Sequence, residues 1–272
     1  MKIFLLAPAA TRGLVLGKIL AVALAVLLAP WLCAEPALRV AAAADLQPVL
    51  PPLLAEFEQT TGIHIETTYE ASAALTAQIE NGAPFDVFLS ADLGFPKRLI
   101  DAGLADAAGS ADSTTPITYA KGTLVLWTRK DSALPPPSLE LLSNPGLKRI
   151  AIANPDRAPY GRAAVAALRS LKLYDALKPR LVTAENIAQA AQFVESGNAE
   201  AGLISLTSAL TTHLAANGSY FVLPLTLYPP IDQGAVIVSK TTERGPAHKL
   251  LDFLLSPHSQ AYFAQHGLTP AK

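Results

Sequence analysis

Short apolar runs alternate with helix-period patterns from residue 38 to residue 268, and this alternation constrains the fold more than any other feature of the chain. It predicts α/β architecture with largely parallel sheets. The strand candidates are residues 38–42, 63–69, 86–90, 123–129, 149–153, 201–205, 220–224 and 235–239, and the helix candidates are 53–60, 73–81, 96–102, 161–171, 187–196 and 245–255. Pro135-Pro136-Pro137 and Pro229-Pro230 read as stiff loops. Residues 118–122 and 228–234, each just before a strand candidate, read as crossings between two lobes. The expected division is 35–121 plus 233–272 for the first lobe and 122–232 for the second, with a cleft between them.

The first 34 residues are read apart. Lys2, Arg12 and Lys18 precede an uninterrupted apolar run, residues 19–29, which Pro30 ends. That run is much shorter than the ~20 residues of a membrane-crossing helix. A basic start, a short apolar stretch and then small residues predict a cleavable secretory signal over residues 1–34, and therefore a periplasmic protein. The single cysteine, Cys33, falls within it, and Leu32 before that cysteine is too large for a good lipoprotein site. The roughly 238 residues after Ala34 contain no cysteine, so the fold rests on its apolar core rather than on disulfides. The whole chain has 21 basic and 22 acidic residues, and loss of the three basic residues of the signal leaves a net charge of −4. There is no basic stripe with interleaved aromatics for nucleic acid and no polybasic segment for a membrane surface.

Chemistry is suggested where strands hand over to helices. Ala43-Ala44-Asp45 follows the first strand candidate, and Glu70-Ala71-Ser72 follows the second. Ala158-Pro159-Tyr160-Gly161 and Glu185-Asn186 each open a later helix. A helix start presents unpaired N–H groups and the positive end of the helix dipole, which suits an anion. Small residues at Ala43, Ala44, Ala71 and Gly161 let a ligand approach the backbone, and Ser72 adds a hydroxyl donor. Taken singly, Asp45, Ser72 and Asn186 also read as ordinary N-caps and Pro159 as an ordinary first-turn residue. Only convergence of these segments would make a site.

Several stretches carry a family resemblance. They are Val40-Ala41-Ala42-Ala43-Ala44-Asp45-Leu46, Ser72 with Leu75, residues 78–84 ending in Gly82-Ala83-Pro84, and Asp86-Val87-Phe88-Leu89-Ser90-Ala91-Asp92. Tyr119-Ala120-Lys121-Gly122, Leu124-Val125-Leu126-Trp127, Ile152-Ala153-Asn154-Pro155 and Ala158-Pro159-Tyr160-Gly161 follow in order. With them the chain resembles the periplasmic molybdate-binding proteins of ABC transporters from residue 38 to residue 268. The resemblance implies a two-lobed periplasmic binding protein fold of type II, each lobe a mixed sheet flanked by helices, with the ligand cleft between the lobes. It implies a solute-binding protein that captures molybdate, and tungstate with it, needs no resident cofactor, and delivers the oxyanion to an inner-membrane permease with its ATPase. A monomer is expected. Carried over residue by residue, the ligand set is Ala44 and Asp45 in the first loop, Ser72 in the second, and backbone donors at Tyr160 and Ile187. Ser205 stands where some members place a tyrosine. No free metal cation is implied, because molybdenum would enter as its oxyanion. Such a dianion carries no proton near neutral pH, so every contact should donate, and fixed neutral dipoles can do this without a buried cation.

Asp45 departs from the family pattern, which has serine or asparagine there. An ionised carboxylate beside a dianion is repelled by several kcal/mol in a poorly solvated cleft. Either Asp45 turns onto its own helix start as a cap, or it accepts a hydrogen bond from a protonated ligand such as monohydrogen phosphate or a phosphonate. Pro48, Pro51 and Pro52 predict that the turn at Asp45 is separate from a helix restarting near Pro51. A periplasmic hydrolase is the alternative of another class. No H-E-x-x-H, C-x-x-C, G-x-S-x-G or Walker A pattern supports it, and the five histidines are scattered.

Overall fold

Leu38, Val40 and Ala42 alternate with Ala41, and all four are fully buried, so the first strand carries apolar side chains on both faces. Such a strand belongs inside a covered sheet, with a neighbour on each side. In the computed structural model, which describes residues 37–107 and 114–271, it does lie there. The strands are β1 (Leu38–Ala43), β2 (Ile65–Glu70), β3 (Val87–Ser90), β4 (Ala105–Asp106), β5 (Ile117–Gly122), β6 (Leu124–Arg129), β7 (Ile150–Ala153), β8 (Leu181–Ala184), β9 (Ala201–Ser205), β10 (Gly218–Val222), β11 (Ile231–Val238) and β12 (Leu268–Pro270). The helices of eight or more described residues are α1 (Leu50–Thr61), α2 (Ser72–Glu80), α3 (Gly94–Asp101), α4 (Pro159–Ser170), α5 (Ile187–Glu195), α6 (Arg244–Leu254) and α7 (Pro257–Gln265). The expected signal segment, residues 1–34, lies outside the described residues, and so does Cys33.

Two sheets form. The first runs β12-β5-β11-β3-β1-β2, with β4 also paired to β11, and the second runs β10-β6-β9-β7-β8. Both are mixed rather than largely parallel. β1 pairs in parallel with β2 and β3, and β7 with β8 and β9, but β11 runs antiparallel to β3 and β5, and β6 antiparallel to β9 and β10. The chain passes from the first sheet to the second through Thr123 alone, between β5 and β6, and returns between β10 and β11. Residues 118–122, expected as a bare crossing, are therefore a paired strand of the first sheet, and the returning strand begins at Ile231 rather than at residue 235. Its register slips between Gln233 and Gly234.

Each sheet has its own apolar packing. Phe57, Leu250, Leu254 and Phe263 from α1, α6 and α7 cover one face of the first sheet, while Leu75, Ile79 and Leu99 from α2 and α3 cover the other. The cluster around the second sheet includes Trp127, Leu168 and Val194, and extends to Ala43, Ala44 and Ala91 of the first. The prolines act as expected. Residues Ala44–Leu46 make a single 3-10 turn, and α1 starts afresh at Leu50 with proline in its first turn. Among the described residues no helix is long and apolar enough to cross a membrane.

Candidate functional site

Parallel strands deliver their C-terminal ends to the same edge of a sheet, and the helix after each strand begins there. In the first sheet, β1 hands over to the turn at Ala44 and β2 to α2; in the second, β7 leads to α4 and β8 to α5. These four starts line one small cavity, which brings together Ala44, Asp45, Ser72, Tyr160 and Ile187, five of the six residues expected from the sequence. Ala71, Ala91 and Asn186 also line it, and so does Glu70. No lysine, arginine or histidine is among its lining residues. The space open to the centre of a water-sized group is about 10 Å³, roughly one such position. A larger groove of about 860 Å³ along the outer face of α4, past Arg162, Arg169 and Tyr174, has no converging helix starts.

Each donor is positioned by packing. Ser72 is the first residue of α2, and its Oγ accepts the N–H of Ala91 at 3.1 Å, which leaves its own hydrogen free to donate. The N–H of Tyr160 and that of Ile187 lie in the first turns of α4 and α5 and have no intrahelical acceptor. Asn186 caps α5 by accepting from the N–H of Gln189 at 2.9 Å, which fixes the turn ahead of Ile187. Gly161 allows α4 to begin hard against β7, since a Cβ there would lie 2.3 Å from the carbonyl oxygen of Ala153.

Asp45 is the unusual member. It is fully buried and does not cap its own turn. Its Oδ2 instead accepts from the Tyr160 hydroxyl at 3.1 Å and from Nε2 of Gln233 in a very short contact, while its Oδ1 has no partner. Burial pushes the carboxyl from 3.8 up to about 7, against the opposing effect of the bonds from Gln233 and Tyr160. Burial, and then the charge of Asp45, hold the Tyr160 and Tyr119 phenols well above the usual tyrosine range. Ser205 does not line the cavity: its Oγ accepts from the N–H of Ser208 and lies 2.9 Å from Thr207 Oγ1. Thr207 in turn donates to the Asp45 carbonyl at 2.7 Å. Gln233 and Thr207 were not anticipated; the only signal for Gln233 is a polar side chain in the segment read as a crossing.

Further bonds join the two sides around the cavity. The N–H of Ala73 donates to the carbonyl of Arg157 at 3.1 Å, and Arg162 pairs with Asp92 while its guanidinium lies over the Phe95 ring, 5.3 Å from its centre.

With this geometry, the relatives are informative. The sequence model of the bacterial extracellular solute-binding proteins matches residues 38–269. The chain belongs to that family. The molybdate-binding protein ModA of Azotobacter vinelandii is 38% identical over 229 residues, covering 84% of this chain and 88% of its own. ModA of Rhodobacter capsulatus is 36% identical over 211 residues, 78% of this chain and 79% of its own. Among solved structures, the periplasmic molybdate-binding protein of Azotobacter vinelandii superposes with a TM-score of 0.79 at 33% identity, over 86% of this chain and all of that one. The sulfate-binding protein SubI of Mycobacterium tuberculosis, at 19% identity and a TM-score of 0.71, shares the fold. As a solute-binding protein of this family, the chain has the two-lobed type II architecture that the sequence predicts.

Proposed function

We propose that this protein is the periplasmic solute-binding component of an ABC importer and that it captures molybdate, with tungstate as a second ligand. The observation that carries this reading is the convergence of four helix starts, two from each sheet, on a cavity with no lining cation. The donors would be the backbone at Ala44, Tyr160 and Ile187 and the hydroxyl of Ser72, with Asp45 beside them. They hold the ligand's oxygens by hydrogen bonds, and no side chain ligates a metal. The lobes are taken as residues 35–121 plus 233–272 and 122–232, although Gly122, Ile231 and Asp232 at these bounds pair within the first sheet. Hinge closure over the ligand then supplies donors from both sides. The protein works as a monomer, is exported by a signal cleaved after residue 34, performs no chemistry on its ligand, and passes it to a membrane permease driven by an ATPase. The molybdate relatives support the choice of ligand.

A second reading has one observation in its favour. The unpartnered Oδ1 of Asp45 is what a protonated oxyanion such as monohydrogen phosphate or a phosphonate would donate to. Isothermal titration of the purified protein with molybdate, tungstate, sulfate and phosphate separates the two. Molybdate and tungstate are expected to bind and sulfate to bind little, because fixed dipoles do not contract around a smaller anion. Tight phosphate binding with none for molybdate would overturn the assignment and establish Asp45 as an acceptor.

A further inference from the structure

Asp45 and Gln233 are 188 residues apart in sequence and are joined by one hydrogen bond, from the amide Nε2 to the carboxyl Oδ2. Both side chains are fully buried. Their other ends, Asp45 Oδ1 and Gln233 Oε1, both lack a hydrogen-bond partner. As long as the carboxyl is ionised, both leftover atoms are acceptors only, and a buried acceptor left unsatisfied is destabilising. A single proton on Oδ1 removes the conflict. A carboxylic acid and a primary amide then pair through two bonds, N–H to one carboxyl oxygen and O–H to the amide oxygen.

The surroundings favour the neutral form. The elements packed against the turn at Asp45 are β2, α5 and the one-turn helix Leu206–Ala209. Their titratable side chains are Glu66, Tyr69 and Glu70 on β2, of which Glu70 lines the cavity, and Glu195 at the far end of α5, where it pairs with His213. The one-turn helix has none. Tyr160 on α4 and Tyr119 on β5 complete the set, and both are phenols whose ionisation is opposed by burial. No lysine, arginine or histidine forms an ion pair with Asp45 among the described residues. Burial without a compensating cation is the condition that keeps a carboxyl protonated near neutrality, consistent with the upward push noted above.

We propose that Asp45 carries a proton, shared as an acid–amide pair with Gln233, and that this neutral acid is the specificity-determining group of the cleft. It removes the repulsion that an ionised carboxylate would exert on a dianion. It also leaves no free acceptor for a ligand proton, so fully deprotonated oxyanions are selected over protonated ones. Because a bound dianion disfavours ionisation of Asp45, binding and proton retention are linked: affinity falls as pH rises through the value at which the free protein loses this proton. This inference rests on the molybdate reading for its ligand but not for its protonation state.

The two parts are tested separately. Infrared difference spectra of ligand-free protein, titrated upward from pH 6, are expected to show a protonated-carboxyl C=O band that fades near pH 7 and is missing in Asp45→Asn. A carboxylate already present at pH 6 overturns the proposal, whatever the protein binds. Isothermal titration with sodium molybdate, in two buffers of unlike ionisation heat, is expected to show proton uptake above pH 7 and an affinity that drops by up to about tenfold per pH unit. Asp45→Asn, which mimics the neutral acid, is expected to abolish that slope and to bind more tightly than the wild type at pH 9. A wild-type affinity that is flat from pH 7 to 9 refutes the linkage. Absence of molybdate binding at every pH sinks the ligand assignment instead, and the infrared band still decides the proton.

Discussion

Gly161→Ala tests whether the cavity depends on how closely α4 approaches β7. The added Cβ would sit 2.3 Å from the carbonyl oxygen of Ala153 and 2.8 Å from the backbone C and O of Asn154. These atoms cannot swing aside as a side-chain tip can. The Asn154 carbonyl accepts the N–H groups of Arg157 and Ala158 at 3.1 and 2.8 Å, and its own N–H donates to Ala184 of β8 at 2.7 Å. Relief therefore means moving the start of α4 by about 1 Å or stretching bonds worth about 1 kcal/mol each. Overpacking of this kind costs about 1–3 kcal/mol. Against it stands the helix propensity of alanine over glycine, a gain of at most about 1 kcal/mol. The clash wins, and a net loss of about 1–2 kcal/mol in urea denaturation is expected. Molybdate affinity should fall alongside, because Tyr160, the neighbouring residue, is displaced with the helix start. A variant as stable as the wild type, with unchanged affinity for molybdate, would refute the close-approach argument.

Two further outcomes follow from the same geometry. Ser72→Ala removes the acceptor for the Ala91 N–H and one donor to the cavity, so stability and molybdate binding should each fall by about 1–3 kcal/mol; unchanged binding by calorimetry would make Ser72 a packing residue only. Asp45 should also shape stability against pH: its folded value of about 7 lies above its ordinary 3.8, so its contribution is complete below about pH 4, is lost as pH rises to about 7, and is constant beyond. The loss is on the order of 4 kcal/mol, so the urea midpoint of Asp45→Asn should gain on that of the wild type between pH 4 and 7, and a constant difference would contradict the shift.

How far the sequence could be read depended on what each segment touches. β9 was predicted end to end, because Ala201–Ser205 is buried throughout and reads as one continuous run. β11 was predicted only in its second half, since Asp232, Gln233 and Gly234 interrupt its apolar pattern at the register slip. β8, with Leu181, Val182 and Thr183 incompletely buried at the edge of the second sheet, gave no clear signal, and neither did the short β4 and β12. The mixed character of the sheets was hidden for a related reason: periodicity reports burial, not strand direction. At the cavity, the helix starts were legible as local patterns, while their convergence was not. Asp45 illustrates the limit, because its side-chain partners lie 115 and 188 residues away and no local spacing points to either.

These distant partners tie the cavity to the crossings between the sheets. Tyr160 opens α4 at the cavity, yet its hydroxyl reaches Gly122 at the end of β5, where a Cβ would lie only 2.2 Å away. The same hydroxyl bonds Asp45, and Gln233 on the returning strand β11 bonds it too. Both crossings and both sheets therefore meet at one carboxyl. Among the bonds that join the two sides, Ala73 to Arg157, Thr207 to Asp45 and Tyr160 to Asp45 are each worth about 1 kcal/mol net, and the ion pair of Arg162 with Asp92 stands beside them. A dianion that takes donors from both sides adds charge-assisted bonds available only in the closed arrangement, and that differential is what shifts the equilibrium. An ionised Asp45 would subtract from the differential at the point where the crossings converge, whereas a neutral one leaves it intact.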